Sequence, residues 1–158
     1  MRKVGSTFPI RANFIARLEP FLKALPKGFQ YTIEIRNQDY FQPDYLSVLK
    51  SPNVAHTSNA WTRMPSLEDQ SKIDDAFTAD FTVVRALLRC GRQYEKAVES
   101  FEPYSEIKEV CDHARTGMRK IVERALKTRT SAFVFVNNRL EGNAPSTIEA
   151  VVDQVHNK

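Results

Sequence analysis

Four short β-type runs, set apart by stretches of helical spacing, constrain this chain more than any other feature. The last of them, SAFVFVNN at 131–138, is almost wholly apolar until Asn137. Runs of that kind mark strands buried on both faces, as in parallel sheets. The others are YTIEIRN at 31–37, a weaker run at 53–58 and DFTVVRA at 80–86. In the first, Tyr31, Ile33 and Ile35 share one face, and Thr32, Glu34 and Arg36 share the other.

Helical spacing fills much of the rest. Residues 11–25 place Phe14, Leu18, Phe21, Leu22 and Leu25 on one face, with Pro20 kinking or breaking the helix and Pro26 and Gly28 as the stop. A short helix over 44–49 is opened by Pro43. A longer one over 112–127 buries Met118, Ile121, Val122, Ala125 and Leu126, leaving Arg119, Lys120, Glu123, Arg124 and Lys127 as a solvated face. The last, 146–156, follows Pro145 and turns Ile148, Val151, Val152 and Val155 inward. Residues 59–72 read as a long loop of the lid or binding type, and the stretch after the third strand reads as irregular. Strands alternating with helices mean a parallel sheet with crossover connections. No repeat, low-complexity segment or domain boundary is visible, so residues 1–158 are read as a single domain.

Composition narrows the class. Hydrophobic residues make up 42% and charged residues 27%, which fits a globular chain rather than a disordered one. No apolar run approaches the ~20 residues of a membrane helix. The start, MRKVGSTFPI, lacks the apolar segment of a secretory signal. Cys90 and Cys111 fit no metal or redox spacing, and free thiols in a reducing cytoplasm are the expectation. A net charge of +4 permits an anionic partner without demanding one.

Three stretches carry a family resemblance: YTIEIRNQDYF at 31–41, TADFTVVRALLRCGRQYE at 78–95 and VFVNNRLEGNAPSTI at 134–148. Together they resemble the YecE-like family, known mainly as a domain of unknown function (72), and NAWTRMPSL at 59–67 is similar to a lid loop in one branch of it. The NNRLEGNAP segment is the most specific part. Tyr40 stands where that family often has a tryptophan. The resemblance implies a TIM-type (β/α) barrel, a fold of typically ~250 residues. This chain has 158 residues and aligns with the second half. Its four β/α units would then be strands five to eight of an incomplete barrel whose N-terminal half is absent. A truncated gene product, a piece cut for expression and a half-barrel that pairs with itself all fit.

Barrel enzymes work at the C-terminal ends of their strands. Those ends supply Glu34 and Arg36, His56 and Ser58, Arg85, and Asn137 and Asn138. Glu34 and Arg36 project to one side, either as acid/base and anion clamp or as a structural ion pair. Arg85 has the same two readings, and a guanidinium acts only electrostatically. Gly142 and Asn143, ahead of a helix start and beside Arg139, either cradle a phosphate or simply cap the helix. Trp61 and Arg63 could stack on a base or sugar ring, or pin the loop to the rim. His56 reads as a metal ligand, a general base or a hydrogen-bonded core residue. Cys111 and His113 lack the second pair that zinc needs. No Ser–His–Asp set, P-loop or dinucleotide motif is present, and neither metal nor cofactor is expected.

Three functions fit. One is a hydrolase-like enzyme on a phosphorylated or otherwise anionic substrate, with Glu34 as base, Asn137 and Asn138 at the same strand ends, and Arg36, Arg85 and the Gly142 loop holding the anion. Another is a nucleic-acid-binding module using a basic mouth with Trp61 and Arg63. The third is a fragment inactive without its missing half. Expected partners are an anionic small molecule or nucleic acid, or a second copy covering the open barrel edges, and no membrane.

Overall fold

The computed structural model describes residues 7–157. A parallel four-stranded sheet has the order β1 (Thr32–Ile33), β2 (Ala55–Ala60), β3 (Phe81–Ala86) and β4 (Ser131–Val136). α1 (Thr7–Lys23) precedes it, α2 (Pro43–Lys50) links β1 to β2, and α3 (Leu67–Ser71) lies between β2 and β3. α4 (Tyr94–Phe101) and α5 (Asp112–Thr128) join β3 to β4, and α6 (Ala144–His156) follows. The α/β class and the parallel order agree with the alternation in the sequence.

Strand parity assigns the faces. Ala60, Val84, Ala86, Val134 and Val136 pack with Leu67, Met118, Ile121 and Val151 from α3, α5 and α6. α1 and α2 form a second core, in which Leu18 and Leu22 meet Tyr45, Leu46 and Leu49 beneath Ile35 and Val54. The opposite parity gathers Ala55, Phe81 and Val83, with no helical residue among them.

Several expectations need correction. The ladder of β1 is two residues long rather than spanning 31–37. Beyond Ile33, Asn59 Nδ2 donates to Ile35 O at 2.9 Å, a side-chain bond where a ladder bond would run. The long loop holds a helix, α3, which Ser66 opens by accepting Asp69 N–H at 3.1 Å. The Ser–x–x–Asp spacing at 66–69 was the overlooked signal. The irregular stretch contains α4, in which Tyr94, Ala97, Val98 and Phe101 stand at helical spacing and Ala97 and Phe101 are buried. β4 is not buried on both faces: Phe133 and Phe135 are 43% and 57% exposed. Phe21, Leu126, Ile148 and Val152, expected inside, are all exposed. The buried stripes of their helices are narrower than the sequence spacing suggests. Pro20 lies within α1, three residues from its end, rather than breaking it.

Candidate anion site at the C-terminal edge of the sheet

The uncovered face becomes polar toward the strand ends. Register aligns Thr57 with Val83 and Phe133, and Asn59 with Arg85 and Phe135. Thr32 and Thr57 share a hydroxyl hydrogen bond of 2.5 Å, which places the Thr32–Glu34–Arg36 side of the first strand on this same face. The expected i, i+2 pair therefore meets Arg85 from two strands away.

Glu34 sits at the centre, only 14% exposed. Arg36 Nε donates to its Oε1 at 2.6 Å, and Arg85 Nη1 donates to its Oε2. Two guanidiniums on one carboxylate leave the cluster with a formal charge of +1. Each guanidinium has five N–H donors and uses few of them here. The Arg36 guanidinium also lies 4.3 Å over the Trp61 ring, a cation–π contact that fixes its plane. Asn59 is fully buried beside this group, with Nδ2 bound to Ile35 O and Thr57 O and with Oδ1 unpartnered.

An open cleft of about 430 Å³ adjoins the triad, lined by Phe14, Ile35, Arg36, Tyr40, Trp61 and Arg63. Arg63 O accepts from Gln38 N at 3.1 Å, which ties the loop after β2 to the segment after β1. Arg36 thus shares one cleft with Trp61 and Arg63, which lie on a different loop. Trp61 also walls a second cleft of about 260 Å³, bounded by Arg89, Cys90 and Cys111 at the start of α5. Burial pushes the Cys111 thiol up, against its acting as a nucleophile.

The other expected residues lie apart from the triad. Asn137 Oδ1 accepts from Arg139 N, and Asn138 Oδ1 accepts from Ala144 N at 2.8 Å. Asn143 Oδ1 caps Ser146 N at 2.9 Å, and Thr147 N reaches Asn143 O. Position 145 is proline and has no N–H. The donors of the first turn of α6 are therefore committed to capping, and Gly142 N–H donates to Asn138 O at 2.7 Å. Gly142 serves close packing: at φ +112° its missing Cβ would lie 2.6 Å from Glu106 O. The Arg139 guanidinium lies 4.5 Å over the Tyr94 ring.

His56 has the opposite parity and faces α2, away from Glu34. Its Nδ1 lies 3.2 Å from Tyr45 Oη and its ring stacks on Phe41. Burial lowers its pKa to about 4. It is a core histidine, as is Ser58 a core serine. An unfolded histidine titrates near 6.5, so the unfolded chain takes the proton first as pH falls. The stabilising effect of a neutral His56 is complete above about pH 6.5 and is lost progressively down to about pH 4, a decline on the order of 3 kcal/mol. Urea midpoints at pH 7 and pH 4.5 test this: His56→Gln should flatten the difference, and an unchanged difference would contradict it.

Sequence reasoning missed Glu141. It is fully buried and receives Arg115 Nε and Nη2 at 2.7–3.0 Å, Cys111 N at 2.6 Å and Thr147 Oγ1 at 2.9 Å. A glutamate in a Gly/Asn-rich loop gives no hint of partners on α5. Among the described residues, no cluster of three His, Cys, Asp or Glu is placed to hold a metal, and no helix is long and apolar enough to cross a membrane.

Residues 4–158 match the family described as "Protein of unknown function DUF72". A crystal structure of a DUF72 family protein from Thermotoga maritima superposes with a TM-score of 0.62 at 16% identity, over 89% of this chain and 51% of that one. The chain thus spans about half the length of that solved relative. No curated protein matches.

Proposed function

Taking as premise that this chain belongs to the DUF72 family, we propose that it binds a phosphorylated or otherwise anionic small molecule at the C-terminal edge of its sheet. The carrying observation is the Glu34–Arg36–Arg85 triad, a net positive group beside the Trp61/Arg63 cleft. Glu34 has both oxygens engaged, so it acts as the strut that aims two guanidiniums rather than as a free base. Arg36 and Arg85 are the anion donors, and their planar forks suit a phosphate or carboxylate. Trp61 and Arg63 hold the remainder of the ligand.

The fold reading that accompanies this is the second half of a TIM-type barrel, with β1–β4 as strands five to eight. It is supported by the one-sided helices, the sequential parallel order and the half-length superposition on the solved relative. In that setting the triad lies where barrel sites lie.

A nucleic-acid strand is a weaker fit, because Arg36 already covers one face of Trp61. Calorimetric titration with inorganic pyrophosphate tests the reading. Arg85→Gln should weaken binding roughly 10-fold or more, the effect of losing a charge-assisted hydrogen bond. Equal binding by the wild type and Arg85→Gln would sink the site. Tight single-stranded RNA binding with a steep salt slope would favour nucleic acid instead.

A further inference from the structure

The triad makes no use of the cavity of about 260 Å³ on the other side of Trp61. That cavity opens where the loops after β2 and β3 meet the start of α5. Its floor is apolar and buried, made by Ala60 at the end of β2, Leu67 at the start of α3 and Ala114 in α5. Val110, 44% exposed, belongs to the same lining, and a bound ring would remove it from water. We propose that the anion recognised by this protein is a nucleotide, with its phosphates on Arg36 and Arg85 and its base in this cavity. The inference rests on the anion reading above and adds what the anion carries.

Charge decides between a second anion and a neutral ring. Arg89 lines the cavity but is paired with Glu109, which also holds Arg92. Asp112 offsets Arg89 within the lining, and His113 Nδ1 lies 3.1 Å from Glu68 Oε2. The cavity therefore has no excess positive charge, unlike the triad, and suits a neutral ring with a polar edge. Among the described residues no side chain donates to Asp112. Its carboxylate can accept two N–H donors side by side. Nucleobases present amino and ring N–H groups, and guanine presents two that are adjacent.

Trp61 joins the two volumes, because it borders both while the Arg36 guanidinium lies over its ring. Alone, the cavity falls just short of the about 300–1,000 Å³ of small-molecule sites. Joined to the cleft of about 430 Å³ it lies within that range. One ligand passing Trp61 fills both, its charged end beside Arg36 and its uncharged end beside Asp112.

Cys90 reports occupancy, since it lines the cavity and is exposed while Cys111 is buried. Alkylation of Cys90 by iodoacetamide, followed by mass spectrometry, tests the proposal with GDP, ADP, CDP and UDP. GDP should slow the reaction roughly 10-fold at ten times its Kd, by mass action, and should act at the lowest concentration of the four. Saturating pyrophosphate, which has no base, should leave the rate unchanged. Asp112→Asn should raise the GDP concentration needed by roughly 10-fold, the loss of a charge-assisted hydrogen bond, with pyrophosphate bound at least as tightly. No protection by any of the four, with pyrophosphate still perturbing Trp61 emission, overturns the nucleotide and leaves the anion site standing. Protection by GDP that Asp112→Asn does not weaken overturns the placement of the base. Failure of pyrophosphate and all four nucleoside diphosphates removes both readings.

Discussion

Replacing Glu141 by glutamine should destabilise the chain by about 3–5 kcal/mol, the usual result of removing one partner from a buried ion pair. Glutamine keeps the shape and can still accept from Cys111 N–H. It cannot neutralise Arg115, whose side chain is 14% exposed and directs Nε and Nη2 at this carboxylate. The same carboxylate accepts Thr147 Oγ1–H within the first turn of α6, and the backbone oxygen of Glu141 accepts Lys108 N at 2.7 Å. One residue therefore fastens α6, the start of α5 and the segment ahead of it. Single domains have only about 5–15 kcal/mol of stability in all, so a loss of this size is a large fraction of it. The urea midpoint should fall sharply with m unchanged. Glu141→Leu combined with Arg115→Met should recover part of the loss, because no charge is then left unpaired. A midpoint for Glu141→Gln equal to that of the wild type would mean that the network is not what holds the loop.

The second large effect is expected at Gly117, in the middle of α5. A Cβ there would lie 2.4 Å from Leu67 C and 2.6 Å from Glu68 N, both backbone atoms of α3 that cannot rotate away. Helix propensity alone favours alanine over glycine by about 1 kcal/mol at an interior position. The steric conflict opposes it, since α3 and α5 must separate, and Glu68 would be drawn from His113 and Lys120. Overpacking costs about 1–3 kcal/mol, more where backbone must move, so Gly117→Ala should be destabilising on balance. Chemical denaturation gives the sign directly. A stabilisation near 1 kcal/mol would mean that propensity wins and the helices are not in close contact.

The parallel order was legible because the apolar runs at 80–86 and 131–138 are too short for helices and too apolar for loops. What those runs could not reveal is which side lacks cover. Phe133 and Phe135 look like core residues in any single sequence, and only the absence of a second layer makes them exposed. The Glu34–Arg36 pair was legible because alternation puts i and i+2 on one face. That Arg85 joins them depends on register between strands more than 50 residues apart, which no local pattern carries. Trp61 and Arg63 are legible as loop residues, but their meeting with Arg36 comes from the Gln38–Arg63 backbone bond. Asn137, Asn138, Gly142 and Asn143 stood out as a cluster of polar and turn residues. Capping a helix and cradling an anion require the same residue types, and only the committed donors of the α6 first turn separate them.

The most direct test of the anion site uses Trp61, the single tryptophan of the chain. Its ring lies under the Arg36 guanidinium, so an anion that draws Arg36 toward itself must alter the indole environment. Titration with inorganic pyrophosphate at low salt should produce a saturable change in tryptophan emission, shifted to higher concentrations in Arg85→Gln and abolished in Arg36→Gln. Emission that stays flat to millimolar pyrophosphate, or that responds identically in all three proteins, would contradict an anion site built on the Glu34–Arg36–Arg85 triad.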